Sequence, residues 1–344
     1  MRPGKDAAPE GGPHRVGPRD AGPVTDPVKG LGHLAKPRNK YLDYLAYIGL
    51  RIFAMFIHMG SLRANYRLAA LLGDLLLSLD RYHRRIVLTH LELSFPHWSR
   101  QRIEHVARES MRSMLYMGLE VLLTPRLIRS DTWHRYVVLK DNLKIIRLLI
   151  QHTKGLVTLT GHFGNWEIAG YVTATIGFPT YTVARPLDNP YVNEYVMGVR
   201  QRAGQTIIYK KGAAEQIQEV LARGDIISFV CDQDAGRKGL FVDFFARPAS
   251  TFKSIGLMAM QFETPLILMC CKRLDEQFHF ECWPQRVIYP HEWADKKDPL
   301  RWITQEYTAA LEQAVRDCPE QYFWAHRRWK HRPRGEQPAP DGIA

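Results

Sequence analysis

Hydrophobic and polar positions change their rhythm three times along this 344-residue chain. Residues 1–37, opening MRPGKDAAPEGGPHRVGPRDAGP, hold too few large apolar groups to bury a core, which predicts a disordered basic tail. From Tyr41 to Gly60 the run YLDYLAYIGLRIFAMFIHMG is apolar except at Asp43, Arg51 and His58. A spanning helix needs roughly 20 apolar residues with few charges. Arg51, near the middle, better suits a helix lying in the membrane interface, or one whose arginine points into protein. A second run, LAALLGDLLLSL from Leu68 to Leu79, is too short to cross and reads as a core or interfacial helix. The pattern over 38–80 therefore predicts apolar helices that anchor the chain to a membrane, with a buried core helix as the alternative.

Residues 81–150 predict helix throughout, with Ser99 capping RQRIEHVARESMRSMLYMGLEVLL, where apolar residues recur at three and four. After Lys154 and Gly155 the rhythm shortens to β-rich runs: LVTLT (156–160), TYTVA (180–184), TIIY (206–209), DIISFVCD (225–232) and PLILMCCKR (265–273). Strands alternating with helices predict an α/β fold, a mixed and partly parallel sheet flanked by helices, within a domain spanning 81–333. Pro and Gly in 334–344 predict a flexible C-terminus.

Composition narrows the class of function. The 47 Lys and Arg outnumber 35 Asp and Glu for a net +12, which points to an anionic partner. Basic residues cluster in the first forty positions, at Arg81–Arg85 and at Arg327–Arg334, and clusters beside strongly apolar sequence point to a membrane surface before nucleic acid. Five cysteines, an odd number without a C-x-x-C pair, suggest neither a disulfide framework nor a cysteine zinc site and fit a reducing cytoplasm. The first residues lack the apolar segment of a signal peptide.

Chemistry concentrates in Thr160-Gly161-His162-Phe163-Gly164-Asn165-Trp166-Glu167, between the run LVTLT and the helix-like IAGYVTATIG. The carboxyl end of a strand is the usual place for a site in open α/β folds. On one continuous helix His162 and Glu167 would stand about 140° apart, so His162 belongs in the turn and Glu167 in the first helical turn. Gly161 and Gly164 allow that turn to be tight. His162 can then act as general base toward a substrate hydroxyl, with Glu167 fixing its tautomer.

GHFGNWE resembles the first block of the lipid A biosynthesis acyltransferases, the late lauroyl and myristoyl transferases, which share the H-x-x-x-x-D/E logic of the glycerolipid acyltransferases. Further blocks agree in order: ARPLDNP (184–190), CDQD (231–234), FFARPA (244–249), PEQY (319–322) and WAHRRWK (324–330). The match runs from about residue 85 to 333, and Ala246 stands where the family commonly has Gly. The resemblance implies a glycerolipid-acyltransferase-like fold. It also implies transfer of a fatty acyl group from acyl carrier protein or coenzyme A to a hydroxyl of a glycolipid, most simply a lipid A precursor, at the cytoplasmic face of the inner membrane. His162 and Glu167 would be the catalytic dyad, with neither cofactor nor metal required.

Substrate contacts are expected from Asn165, Arg185, Asp232, Gln233, Asp234, Arg247, His326 and Arg327. Arg185 suits an acceptor phosphate or a developing oxyanion, or else an ion pair with Asp188. Asp232 and Asp234 suit organisation of the site better than a metal, whose ligand set is thin. The basic, tryptophan-flanked run at His326–Lys330 suits lipid headgroups or an acidic carrier protein. Two other classes stay open: a metal-dependent hydrolase using His162, Glu167, Asp232 and Asp234, and a nucleic-acid-binding membrane protein, for which no recognition motif is apparent.

Overall fold

The strand LVTLT, Leu156–Thr160 (β2), lies inside a seven-stranded sheet of order β1-β9-β8-β2-β5-β3-β4. The structure, a computed structural model, describes residues 39–141, 146–148, 150, 155–202, 204–209 and 212–335. The tail expected over 1–37 and most of the C-terminus expected over 334–344 lie outside the described residues.

Four helices come first: α1 (Lys40–Met59), α2 (Leu62–Leu79), α3 (Arg81–Ser94) and α4 (Arg100–Leu127). Ser99 caps α4 as its sequence predicts, its side chain accepting from Arg102 N at 3.3 Å. Gly73 lets α2 lie close along α4, since a Cβ there would stand 2.9 Å from Arg112 Cα. The Arg112 guanidinium fixes the pair by a fork to Asp74, at 2.7 and 2.5 Å.

The other face of these helices is apolar and uncovered. Leu45, Ile52 and Phe56 of α1 and Leu71, Leu75 and Leu79 of α2 are exposed, and α1 is long and apolar enough to cross a membrane. Arg51 is neither buried nor idle, because it donates to Tyr47 Oη at 2.7 Å and lies over the Tyr195 ring.

The expectation of helix throughout 81–150 fails after α4. Val137–Leu139 is a short strand (β1), paired parallel to β9 from Val137 opposite Phe280 to Leu139 opposite Cys282. Its Val-Val-Leu composition suits a pleated, half-buried edge.

From β2 the chain alternates: α5 (Trp166–Thr175), β3 (Thr180–Ala184), α6 (Pro190–Gln201), β4 (Gln205–Tyr209), α7 (Ala213–Ala222) and β5 (Ile226–Val230). β2 pairs parallel with β5 and with β8 (Leu266–Arg273), while β9 (Phe280–Ile288) runs antiparallel to β8. The sheet is thus mixed and mostly parallel. A hairpin of β6 (Leu240–Phe244) and β7 (Arg247–Thr251) stands apart from it, and α8 (Lys253–Gln261) and α9 (Pro299–Asp317) complete the fold.

Burial explains why the central strands read as unbroken apolar runs. Val157, Leu159, Leu266 and Leu268 pack with Ile217 and Leu221 of α7 and Ile303 and Leu311 of α9. Leu156, Ile226, Ile267 and Val287 form a separate cluster, and Cys271, Cys282 and Phe280 pack with Tyr116 and Leu119 of α4 and Ile168 of α5. Strands covered on both faces have no polar side to alternate with.

Candidate active site

Parallel pairing of β2 with β5 sets the site. Their register matches Thr160 to Val230, and Cys231 N donates to Thr160 O at 2.8 Å, so residues two steps beyond each strand, His162 and Asp232, meet. Asp232 Oδ1 lies 2.7 Å from His162 Nδ1, and Oδ2 accepts from His162 N at 2.8 Å. The Asp232 side chain is fully enclosed, whereas His162 keeps 13% exposure. Burial alone would raise the Asp232 carboxyl, but the charge and hydrogen bonds of His162 outweigh it and hold the group well below the usual carboxylate range. An ionised Asp232 keeps the imidazole proton on Nδ1, which leaves Nε2 free to accept one.

Two glycines make the loop possible. A Cβ at Gly164, where φ is +57°, would fall 1.9 Å from Cys271 O, and one at Gly161 would press on the Leu311 side chain at 2.7 Å. The loop is also stitched to the end of the chain: Gly164 N donates to Gln321 O and Phe323 N to His162 O.

Glu167 sits in the first turn of α5, as its spacing predicts, but its carboxylate is bonded to groups other than His162. It receives a fork from Arg200 of α6, with Nε on Oε2 at 2.8 Å and Nη2 on Oε1, and it accepts from Trp166 Nε1 at 3.1 Å. The Trp166 ring meets the His162 ring edge to face at 4.7 Å. The expectation that Glu167 fixes the His162 tautomer is therefore corrected: Asp232 holds Nδ1, and Glu167 bonds Trp166, whose ring packs on the histidine. Arg200, 33 positions further on, captures Glu167 instead.

The other expected site residues separate. Asn165, expected to touch substrate, is fully buried; its Oδ1 caps α5 at Ile168 N (3.1 Å) and its Nδ2 donates to Glu120 Oε2 (2.7 Å), so its place is structural. Asp234 is likewise occupied, gripping His331 Nδ1 at 2.6 Å and the Gly236 N–H at 3.1 Å, which ties down the end of the chain. Arg247 lies 3.5 Å over the Trp329 ring and donates to Ser94 Oγ at 3.0 Å, joining α3 to the C-terminal segment instead of facing the His162 loop through these contacts. Gln233 is exposed next to Asp232. Arg185 is exposed at the end of β3, 3.5 Å from Asp188, the alternative its sequence allowed. His326 does join the site, its ring centroid 4.2 Å from that of His162, with the half-buried Arg327 beside it in sequence. Among the described residues no three His, Cys, Asp or Glu side chains converge to share a metal ion.

The model of the bacterial lipid A biosynthesis acyltransferases matches residues 33–331. This chain belongs to that family. It is 24% identical over 298 residues to the lipid A biosynthesis lauroyltransferase of Escherichia coli (strain K12), and 26% identical over 306 residues to the palmitoleoyltransferase of the same organism. Each alignment covers 85% of this chain and 93% of the relative. A lipid A biosynthesis acyltransferase of Haemophilus influenzae is 23% identical, covering 72% and 76%. Among solved structures, the 1-acyl-sn-glycerophosphate acyltransferase PlsC of Thermotoga maritima covers 74% of this chain and 97% of its own at 11% identity and a TM-score of 0.33, too distant to bear on the site.

The acyltransferase also depends on residues that its sequence did not single out. Glu120 of α4, fully enclosed, accepts from Tyr66 Oη (2.8 Å), from Asn165 and from Arg273, whose Nη2 donates at 3.0 Å. Arg273, at the end of β8, also exchanges two backbone bonds with the Gln321 amide at 2.8 Å. This buried network locks α4, α5, β8 and the C-terminal segment around the His162 loop. A single Glu inside the amphipathic α4 gave no local signal, since its partners are as far away as residue 273.

Proposed function

We propose that this acyltransferase moves a fatty acyl group from an acyl carrier protein or coenzyme A thioester to a hydroxyl of a lipid A precursor. The observation that carries the mechanism is His162 Nδ1 on the buried Asp232 carboxylate at 2.7 Å. His162 Nε2 takes the acceptor proton, the acceptor oxygen attacks the thioester carbonyl, and collapse expels a thiolate that leaves with the proton from His162. Asp232 stabilises the imidazolium between these steps. Glu167 and Arg200 act as positioning residues through Trp166. Arg185 and Gln233, exposed at the same carboxyl edge of the sheet, suit contacts with the acceptor headgroup, and Arg327 suits the same partner. The route needs no cofactor and no metal.

Names of the relatives support lipid A as the acceptor's class, and the net +12 supports an acidic carrier protein as donor. Membrane lipids are the further partner, and nucleic acid is not one. The uncovered apolar face of α1 and α2 adjoins the exposed basic start of α3 at Arg81–Arg85, a combination suited to an anionic leaflet. We place the work at the cytoplasmic face of the inner membrane, with 38–80 as the attachment and 81–333 as the catalytic body.

The test is mass spectrometry of membranes carrying the wild type or His162→Ala, supplied with acyl carrier protein thioester and a lipid A precursor, with and without chelator. An added acyl mass that requires His162 and survives chelation supports the reading. Mass added only to another glycolipid would move the acceptor, and a chelator-sensitive release of acyl groups would replace the reading with a hydrolase.

A further inference from the structure

His326 reaches the site from the far end of the chain. Phe323 N donates to His162 O at 2.9 Å, His326 N donates to Phe323 O at 3.2 Å, and this turn sets the two imidazoles 4.2 Å apart with their planes at 68°. The Phe323 ring meets His326 edge to face at 4.5 Å and lies 6.4 Å from the His162 ring. His326 Nε2 is buried without a hydrogen-bond partner among the described residues. A buried polar atom left in that condition costs stability, and native structures keep few.

Neighbouring polar groups around His162 are committed elsewhere: Asp232 to His162, Glu167 to Arg200 and Trp166, Asn165 to Glu120 and the α5 cap. The charged and titratable groups facing His326 are His162, Asp232 and His90 of α3. Burial first, and His162 next, push the His326 imidazole down to about 4. It is neutral at pH 7 and carries one N–H. Neutrality matters here, because a second cation 4.2 Å away would oppose proton uptake by His162.

We propose that the neutral imidazole of His326 donates its N–H to the acyl carbonyl oxygen as negative charge develops on it, making His326 a second catalytic residue that stabilises the oxyanion. The proposal rests on the acyl-transfer reading. As the acceptor O–H gives its proton to His162 Nε2, the new C–O bond forms and the carbonyl π pair moves onto the oxygen, where the His326 N–H meets it. The pair returns, C=O re-forms, the C–S bond breaks, and the thiolate carries away the proton from His162.

The experiment uses the full-length protein with acyl carrier protein thioester and a lipid A precursor, comparing wild type, His162→Ala, His326→Ala, His326→Gln and His326→Phe. Loss of an oxyanion donor lowers kcat by about 10²- to 10³-fold, so His326→Ala and His326→Phe are expected in that range with KM within about threefold of wild type. His326→Gln keeps an N–H donor and is expected to recover at least about tenfold over His326→Phe. Folding is followed by circular dichroism, and if His326→Ala does not fold, the Gln and Phe pair decides. Activity of a folded His326→Phe within about fivefold of wild type, a loss carried by KM alone, or no advantage of Gln over Phe would overturn the proposal. A wild type with no transfer at all would sink the acyl-transfer reading and this inference together. Transfer that needs His162 but tolerates His326→Phe would sink this inference only.

Discussion

Asp232→Asn tests which carboxylate governs His162. The Asp232 side chain is fully enclosed, so an isosteric amide stays in place, but it cannot accept from both His162 N–H groups as the carboxylate does. With its oxygen toward His162 Nδ1, its NH₂ faces the His162 N–H; turned over, it forces the ring proton onto Nε2 and removes the base. One charge-assisted hydrogen bond, about 1.5–3 kcal/mol, is lost either way. The imidazolium formed during the reaction also loses a countercharge at 2.7 Å, worth about 6 kcal/mol at an effective dielectric of about 20, part of which a protein dipole replaces. A net loss of about 3–5 kcal/mol in the transition state corresponds to about 10²- to 10⁴-fold in kcat. Glu167→Gln leaves the Asp232 contacts untouched and acts only through Trp166 and Arg200, so about tenfold or less is expected. Single-turnover transfer from the carrier thioester, with folding checked by circular dichroism, reads both. A larger loss from Glu167→Gln than from Asp232→Asn, in folded proteins, would refute the reasoning and return the orienting role to Glu167.

Glu120→Gln strips the buried Arg273 of its countercharge and should lower the unfolding free energy by about 3–5 kcal/mol; a urea midpoint equal to wild type would show that the network contributes little. Ala246 and Phe245 form the hairpin turn with φ of +53° each, a conformation costing about 1–2 kcal/mol without Gly, so Ala246→Gly should raise the melting temperature slightly, and a fall would mean that the turn is relaxed as it stands. His326 is held down to about 4 against about 6.5 in the unfolded chain, so its contribution, about 3 kcal/mol in full, is intact above pH 6.5 and drains away as pH falls toward 4. The depressed Asp232 adds a loss only below its unfolded value of about 3.9. Urea midpoints should therefore drop between pH 7 and 4.5 in wild type and less in His326→Gln; parallel drops would point to other groups. Phe56→Glu with Leu75→Glu should shift the protein from the floating membrane fraction to the bottom fractions in flotation assays, and unchanged flotation would remove the α1 and α2 face as the attachment.

The acyltransferase declares its chemistry in sequence. β2, β5 and β8 were legible as short apolar runs of covered strands, β3 and β4 as β-branched and aromatic runs set between turn residues, and the cap at Ser99 and the tight turn at Gly161 and Gly164 follow from local backbone demands. β9 was not, because Pro284 argues against a strand; it is tolerated opposite Met269, where the β8 and β9 register shifts. The β6 and β7 hairpin was hidden too, since Phe245–Ala246 lacks the Asn-Gly signature of its turn. The deepest difference concerns His162. Proximity along the chain offered Glu167, while the tertiary structure delivered Asp232, seventy positions away, because β5 inserts beside β2 in register and extends the two chains to the same depth. Local sequence determined which side chains could react. Strand order and the distant claims of Arg200 on Glu167 and Arg273 on Glu120 decided which of them meet, because a charge pairs with the partner that the folded backbone brings to it.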